Sequence, residues 1–470
     1  MDFEERLHIL SHKRVALLQG SEAAIAKQRA LGRLLAQERV EKLLDPGTFV
    51  QTDIFASEGN AVTGYGLVND RPVYVLAQDA TSAGGAMSVA QARKMIKTLD
   101  LAEKTGAPVV LMPDARGAKI GEGAQVLAAY AQVFAKLAKM RNLCPIIALA
   151  AGQATATASN FIALSDIAVA VEGKAEVTPF SASVMNAVAD TALDSQALGG
   201  AVVLARKGAV AITAKDEEEG LALVRTLIDL LPSSAYEKAP MLDGDDLNRL
   251  LKMPPESSQA LALDIVDHST SIELYGAWRN TCRTYIARVG GNTCGIVSCV
   301  PEQDGGRLDA FACDKIAKLV SFCDAYDLPV ITLVDSEGLA VPSAEGQSWL
   351  MTASARMLCA YAEATTPKVA VITGNAVGAA YVAFAGKAIA DICFAWPGAY
   401  IAPLTTAATV QTFDAAQLNE TDRATLEAKA ADEADAFGAA TEGLVDDVIE
   451  PAQTRKHLIA ALELLATKHT

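Results

Sequence analysis

The chain of 470 residues is 51% hydrophobic and 20% charged, which is enough apolar content for a packed core and excludes an intrinsically disordered protein. Its length predicts two or three domains. The formal charge of −16 argues against nucleic acid as a partner, because binding to phosphate backbones needs a basic surface, although a local basic patch can still hold a phosphorylated cofactor.

The N-terminal segment MDFEERLHILSHKR is charged and lacks the apolar stretch of a signal peptide, so we expect a cytoplasmic protein. The eight cysteines form no CxxC pair, and no group of Cys and His residues has the spacing of a zinc site. They are interpreted as reduced core residues, and no metal site is predicted. The five histidines lie outside the glycine-rich segments, which argues against a His-based catalytic triad.

The first half of the chain begins with a predicted β-hairpin within Thr63–Gln78, whose turn is at Asn69-Asp70. Apolar residues then recur at helical spacing from Met95 to Ala102. The strands PVVLM and PIIALAA follow, and their continuous apolar character is typical of strands that helices cover on both faces of a sheet. This half therefore predicts an α/β domain.

The second half repeats these segments in the same order about 221 residues later. KTGAPVVLMPDARG aligns with AYDLPVITLVDSEG, so that Asp114 falls on Asp335. CPIIALAAGQATATASNF aligns with TPKVAVITGNAVGAAYVA, so that Gly152 falls on Gly374. A second hairpin is expected within Thr284–Cys299. A repeat of this length predicts two similar domains rather than a solenoid.

We place the two domains at residues 1–240 and 255–470, on either side of a segment rich in Pro, Ser and Asp. In the second domain the uncharged run Val369–Gly386 is long enough to suggest a membrane span. Its turn signal Gly374-Asn375 directly follows a β-branched run, which favours a buried strand, a turn and a helix. No membrane span is predicted.

Four loops follow predicted strands at the edge where open α/β sheets bind ligands: DARGAKIGEG, GQATATASN, DSEGLAVPSAEG and GNAVGAAY. The second and fourth lead from a strand into a helix and contain mostly small residues. Backbone N–H groups at a helix start have no acceptor within the helix, so they can bind an anion or a developing oxyanion. The alternative is tight packing of helix on sheet. Asp114 and Asp335 end their strands, and they either cap the next helix or face a ligand.

Several segments in the same order resemble the carboxyltransferase subunits of biotin-dependent acyl-CoA carboxylases and decarboxylases. The likeness begins at AIAKQRALGRLLAQERVEKLLDPGTFVQTD and continues through RPVYVLAQDATSAGGAM, TGAPVVLMPDARGAKIGEG, TPKVAVITGNAVGAAYVA and ADICFAWPGAYIA. The resemblance implies an α/β fold of two tandem crotonase-like (ClpP/crotonase) domains, internally duplicated. It also implies that the N-terminal domain binds acyl-CoA, while the C-terminal domain receives biotin on a separate carrier protein.

The resemblance further implies the site residues. The family motif YGGAY matches residues 377–381, and the motif CAGGAV matches residues 154–159, where both family glycines are replaced. Residues expected at the developing oxyanions are Gly378, Ala379, Ala380, Ala156, Thr157 and Ala158. Residues expected to contact acyl-CoA or biotin are Gly84, Gly85, Arg116, Gly117, Ala118, Lys119, Gly338 and Tyr381.

The implied reaction moves a carboxyl group between carboxybiotin and the α-carbon of an acyl-CoA thioester, and backbone amides would stabilise the charge that develops on oxygen. The implied partners are acyl-CoA, a biotin carboxyl carrier protein and any further subunits of the complex. A homo-oligomer is also implied, either a dimer or a trimer of dimers, with the active site where unlike halves of two subunits meet. The acyl group and the direction of transfer stay open.

Two alternatives stay open at the level of sequence. A crotonase-type hydratase or hydrolase would use the same oxyanion loops, but it needs a carboxylate base beside them, for which Glu122 is the nearest candidate. A non-catalytic scaffold subunit would account for the replaced glycines in another way.

Overall fold

The computed structural model describes residues 2–18, 21–56, 61–190, 192, 194–242, 244–412, 419–432 and 434–468. The chain divides into two compact units, unit 1 (Met1–Lys238) and unit 2 (Ala239–Thr470). Each unit is built from a mainly parallel sheet and helices, as the sequence predicts for an α/β protein. The assignment of the predicted domains 1–240 and 255–470 to acyl-CoA and biotin stays a prediction.

The described part of unit 1 has nine strands, and seven of them form one sheet. The strands are β1 (Val50–Gln51), β2 (Ala61–Val68), β3 (Arg71–Gln78), β4 (Val109–Met112), β5 (Ile146–Ala150), β6 (Gln153–Thr155), β7 (Ile167–Val171), β8 (Glu176–Thr178) and β9 (Ile212–Ala214). The helices are α1 (Phe3–Leu18), α2 (Glu22–Ala30), α3 (Ala36–Leu43), α4 (Val89–Thr105), α5 (Ala124–Met140), α6 (Asn160–Ala163), α7 (Ala182–Ala189), α8 (Ser195–Gly199), α9 (Ala201–Arg206) and α10 (Glu217–Leu230).

The sheet order is β1-β2-β3-β4-β5-β7-β9, and β6 pairs separately with β8. The pairs β1–β2 and β2–β3 are antiparallel, whereas the other pairs are parallel. Successive residues of β5 face opposite sides of the sheet, and they show why its apolar run is continuous. Ala148 packs in one core cluster with Met95 of α4, while Leu149 lies beside Gly220 of α10, where an added Cβ would come within 3.0 Å. Helices therefore cover the sheet on both faces.

Unit 2 has the same arrangement. Its strands are β10 (Ser271–Leu274), β11 (Cys282–Val289), β12 (Asn292–Cys299), β13 (Val330–Ser336), β14 (Lys368–Val377), β15 (Ile392–Ala395), β16 (Tyr400–Ala402) and β17 (Asp447–Val448). Its helices are α11 (Ser258–Asp264), α12 (Ala310–Ala325), α13 (Gln347–Glu363), α14 (Thr406–Gln411), α15 (Glu420–Asp432), α16 (Ala436–Thr441) and α17 (Thr454–Leu465). The sheet order is β10-β11-β12-β13-β14-β15-β17, with β16 paired to the end of β14.

The internal repeat is present in three dimensions. Both predicted hairpins are confirmed, because β2–β3 and β11–β12 occupy matching positions 221 residues apart. The likeness extends to buried charges at the base of each hairpin. The Nζ atom of Lys94 donates to the carbonyl of Ala61 at 2.9 Å, and that of Lys315 donates to the carbonyl of Cys282 at 2.9 Å. Burial lowers the pKa of both lysines.

The uncharged run Val369–Gly386 forms most of β14 and then a helical turn, so the predicted strand and helix are confirmed. The predicted turn at Gly374-Asn375 is wrong, because both residues lie within β14, which continues to Val377. Among the described residues, no helix combines the length and the apolar character that a membrane crossing requires.

Candidate active site

In unit 1 the loop after β3 and the loop after β4 lie against each other. Gly84 and Gly85 belong to a tight turn, and the backbone N–H of Arg116 donates to the carbonyl of Gly84 at 3.3 Å. An added Cβ at Gly85 would lie 1.9 Å from the carbonyl oxygen of Asp114, so only glycine allows this approach. The Nε atom of Arg116 donates to the side chain of Gln153 at 2.9 Å. Three of the predicted contact residues are thus brought together.

The next predicted residues, Gly117, Ala118 and Lys119, continue this surface. The backbone N–H of Met87 donates to the carbonyl of Gly117, and the backbone N–H of Lys119 donates to the carbonyl of Met87, both at 2.9 Å. An added Cβ at Gly117 would lie 3.3 Å from the Cβ of Ala156. The loop after β4 therefore packs on the predicted oxyanion loop.

A buried ion network fixes this arrangement, and sequence reasoning missed most of it. Asp114 caps no helix: its carboxylate accepts from the backbone N–H of Gln153 at 3.1 Å, from Gln28 Nε2 at 3.1 Å and from Arg39 Nη1 at 3.0 Å. Arg39 also donates from Nε to Glu217 at 2.7 Å. The carboxylate thus holds the strand that leads into the oxyanion loop.

The predicted oxyanion loop of unit 1 begins a helical turn directly after β6. Residues 156–159 form a 3₁₀ turn that continues into α6. Ala156 has a φ of +54°, in the left-handed region where the family motif has glycine. The amides of Ala156, Thr157 and Ala158 lie at the start of this turn, where helical segments leave N–H groups without internal acceptors.

In unit 2 one predicted donor is wrong. The backbone N–H of Gly378 donates to the carbonyl of Ala402 in β16 at 2.9 Å, so this amide is already engaged. Glycine at position 378 instead allows the backbone to turn here, because its φ is +51° and an added Cβ would lie 3.1 Å from the carbonyl oxygen of Pro403. Ala379 and Ala380 open the helical turn that follows, and their role as oxyanion donors stays a prediction.

The remaining predicted residues of unit 2 lie around the same turn. Gly338 is next to the end of β14, since an added Cβ would lie 2.9 Å from the carbonyl oxygen of Val377. Tyr381 is half-buried, its hydroxyl donates to the carbonyl of Leu444 at 2.9 Å, and burial raises its pKa. The hydroxyl of Tyr381 is therefore held by the protein itself.

A cleft of about 620 Å³ opens beside these loops within unit 1. Its lining includes two exposed cationic side chains, Lys27 and Arg116, while Arg33 in the same wall is paired with Glu176 at 2.8 Å. Sequence reasoning identified Arg116 but missed Lys27. A signal was present, because Lys27 lies within the N-terminal segment that carries the family resemblance.

Comparisons with known proteins decide the family. Residues 27–470 match the carboxyl transferase domain family. Methylmalonyl-CoA decarboxylase subunit alpha of Propionigenium modestum is 33% identical over 484 residues, which cover 96% of this chain and 94% of the relative. The mitochondrial propionyl-CoA carboxylase beta chain of Mus musculus is 35% identical over 495 residues, which cover 99% of this chain and 91% of the relative. The chain belongs to the carboxyl transferase family.

A solved structure agrees with this assignment. Transcarboxylase 12S, with hydrolyzed methylmalonyl-coenzyme A bound, matches this carboxyltransferase with a TM-score of 0.92 and 29% sequence identity, covering 100% of this chain and 97% of that chain. The duplicated crotonase-like fold is thus confirmed. The predicted reaction class, biotin-dependent carboxyl transfer on an acyl-CoA, is confirmed by the family and its named relatives.

Glu122 is not arranged as the base that a hydratase or hydrolase would need. Its Oε2 atom accepts from the backbone N–H of Val89 at the start of α4 at 2.7 Å, and its Oε1 lies 3.2 Å from Lys119 Nζ. The hydrogen bond from Val89 and the charge of Lys119 lower the pKa of Glu122. A carboxylate so engaged is a poor proton acceptor, which agrees with a carboxyltransferase.

Proposed function

We propose that this chain is the carboxyltransferase component of an acyl-CoA carboxylase or decarboxylase, with acyl-CoA bound by unit 1 and biotin, on a separate carrier protein, received by unit 2. The single observation that carries this division is a reversal of charge between equivalent positions. Arg116 beside Gly84 in unit 1 corresponds to Glu337 beside Gly305 in unit 2.

The reversal matters because coenzyme A carries several phosphate charges and the biotin ring carries none. In unit 1 an added Cβ at Gly84 would lie 3.5 Å from the Arg116 side chain, and in unit 2 one at Gly305 would lie 2.8 Å from that of Glu337. The two side chains thus cover the same turn with opposite charge. With Lys27 in the same cleft, unit 1 offers cations to phosphates, whereas the equivalent position of unit 2 holds a carboxylate that pairs with Arg307.

The proposed oxyanion donors follow from the helical turns. Amides of Ala156, Thr157 and Ala158 would stabilise charge on the thioester oxygen, and amides of Ala379 and Ala380 would stabilise charge on the biotin ureido oxygen. Biotin supplies the group that carries the carboxyl. The residues present fit it, because the unit 2 loop offers small side chains and first-turn amides, and this chemistry needs no side-chain base.

We also propose a homo-oligomer, a dimer or a trimer of dimers, in which unlike units of two copies complete each active site. The solved transcarboxylase 12S is described as a hexamer assembly and a multienzyme core, which supports this proposal. Its further partners would be a biotin carboxyl carrier protein and the other subunits of such a complex.

The test uses the purified chain with free biotin and a panel of acyl-CoA and malonyl-type CoA thioesters. Carboxyl transfer should require biotin and should stop when avidin removes it. Arg116→Glu should raise KM for the thioester about tenfold or more, because a charged hydrogen bond is replaced by repulsion. Glu337→Gln, at the equivalent position of unit 2, should leave that KM unchanged. Turnover without biotin, or no turnover with any thioester, would contradict the proposal.

A further inference from the structure

The same device holds the start of both oxyanion loops. At the carboxyl end of β13, Asp335 accepts from the backbone N–H of Asn375 at 2.8 Å, as Asp114 after β4 accepts from the backbone N–H of Gln153 at 3.1 Å. The side chain of Asn375 adds a hydrogen bond to the same carboxylate oxygen at 3.3 Å. In each unit the aspartate thus bonds the residue three positions before the left-handed residue that opens the helical turn.

A glycine in each unit makes room for the carboxylate. An added Cβ at Gly374 would lie 2.3 Å from the Cγ of Asp335, and one at Gly152 would lie 2.3 Å from the Cγ of Asp114. No real Cβ approaches so closely, so any other residue would push the carboxylate off the backbone amide. Glycine at positions 152 and 374 is therefore required for the hydrogen bond between each aspartate and the backbone.

In unit 2 the contact is made where β14 changes partners. Residues 369–372 of β14 pair with β15, whereas residues 375–377 pair with β16. Asp335 bonds the first residue after this change. The path from there to Ala379 and Ala380 is short, so a displacement at Asn375 would move the proposed donor amides with it.

The two units differ in how the carboxylate is neutralised. Asp114 is buried against Arg39 at 3.0 Å. None of the ion pairs among the described residues includes Asp335, and its charged neighbours are the carboxylates of Glu302 and Glu337. Arg307 pairs with Glu337 and with Asp304, and Arg283 pairs with Glu273.

We propose that Asp335 is a positioning residue for carboxyl transfer, which in its ionised form holds Asn375 and thereby sets the position of the Ala379 and Ala380 amides. This inference rests on the proposed function. Asp114 does the same work in unit 1, with a charge that Arg39 secures. The biotin-side loop is therefore held by a carboxylate without an ion-pair partner among the described residues, and the acyl-CoA-side loop by a carboxylate paired with an arginine.

The proposal predicts opposite responses of activity and stability to pH. Burial raises the pKa of Asp335, and Glu302 and Glu337 add to this, while the hydrogen bonds from Asn375 oppose it. Cys299, which also faces this site, stays a neutral thiol because burial raises its pKa to about 12. Because the folded pKa of Asp335 is raised, its contribution to stability is present at low pH and is lost as pH rises through that pKa. Transfer activity should instead fall as pH falls through the same pKa.

The experiment compares Asp335→Ala, Asp335→Asn and a matched control, Asp391→Ala. Asp391 also accepts a backbone N–H of β14, from Lys368 at the far end of the strand, at 2.8 Å. Asp335→Ala should lower kcat about 10²-fold, since a displacement of about 1 Å can cost this much. Asp335→Asn should give a kcat between those of wild type and Asp335→Ala, because its neutral amide oxygen accepts the same N–H more weakly than a carboxylate does, and should flatten the acid side of the pH profile. Asp391→Ala should lose stability but keep kcat per folded molecule.

Hydrogen exchange separates this inference from the proposed function. In Asp335→Ala, amides of residues 375–381 should exchange faster than in wild type, whether or not a carboxyl acceptor has been found. Slow, unchanged exchange in that segment would show that Asp335 does not hold it in place, even if the wild type is inactive with every thioester. Faster exchange with an unchanged kcat in an active enzyme would overturn the role in catalysis.

Discussion

Single residues at equivalent positions of the two units show how the site tolerates changes of sequence. Ala156 and Gly378 both adopt a left-handed backbone, with φ of +54° and +51°. Alanine pays roughly 1–2 kcal/mol for this conformation, whereas glycine does not. Unit 1 therefore carries local strain at its predicted oxyanion loop that unit 2 avoids.

The reciprocal pair Ala156→Gly and Gly378→Ala tests this difference. Ala156→Gly should raise the free energy of unfolding by about 0.5–1 kcal/mol, because the gain in the folded state exceeds the entropic cost of glycine in the unfolded chain. Gly378→Ala should lower it by about 1–2 kcal/mol, since the added Cβ also approaches the carbonyl of Pro403. Urea unfolding measures both. Equal changes of the free energy of unfolding with the same sign in both variants would contradict the assignment of backbone strain to Ala156.

Thr157 stands where the family motif has glycine, so we expect its side chain to narrow the space in front of the proposed thioester donors. Thr157→Gly should leave the backbone amide in place and admit bulkier acyl groups. We expect kcat/KM to rise for branched or longer thioesters and to change little for the smallest. An unchanged profile across an acyl-CoA panel would show that this side chain does not face the acyl group.

At the scale of elements, one arginine joins α3, the loop after β4 and α10. Arg39 is fully buried, and it bonds Asp114, Glu217 and the carbonyl of Ala151 at 3.0 Å. Removing one member of a buried ion network leaves uncompensated charge, which costs more than the network itself contributes.

Arg39→Met should therefore lower the free energy of unfolding by about 3–5 kcal/mol at neutral pH. Lys42→Met is the matched control on the same helix, because Lys42 pairs with Glu218 at the surface and should cost nothing measurable. Denaturation curves at neutral pH measure both losses, and similar losses for the two variants would refute the network.

The sequence predicts the hairpins, the alternation of helices and strands and the repeat, because periodicity and turn residues are local signals. It did not predict that Asp114 bonds Gln28, since such contacts join residues far apart in the chain. The engaged amide of Gly378 was missed for a related reason. Its acceptor belongs to β16, a strand of three residues without a recognisable pattern, and motif matching treats each loop apart from its neighbours.

At the scale of the whole molecule, the duplication places exposed apolar residues at equivalent positions of both units. Ile120 is 90% exposed and its equivalent Val341 is 93% exposed. Leu127 near the start of α5 and Trp349 near the start of α13 are also more than half exposed. Apolar side chains at the edge of a ligand site favour burial by a second molecule, and a second copy of this chain would present the complementary unit.

We therefore expect Ile120→Glu and Val341→Glu each to weaken the proposed oligomer and to lower activity in parallel, since each introduces charge into an apolar contact. Sedimentation velocity at several concentrations measures the association. Leu464→Glu, at an exposed position on α17, serves as the control and should leave the mass unchanged. If both variants keep the wild-type mass, the contact lies elsewhere.

Each unit contains one of two equivalent buried lysines, and the labelling rate of that lysine can report how often the unit opens. Lys94 and Lys315 are shielded amines whose ammonium groups bond backbone carbonyls, so an acylating reagent can reach them only when the surrounding unit opens. Mass spectrometry of the two lysine-containing peptides after timed labelling would then give two opening rates from one sample. Identical rates would mean that the two halves of this duplicated chain open as one cooperative body, and different rates would reveal which half yields first.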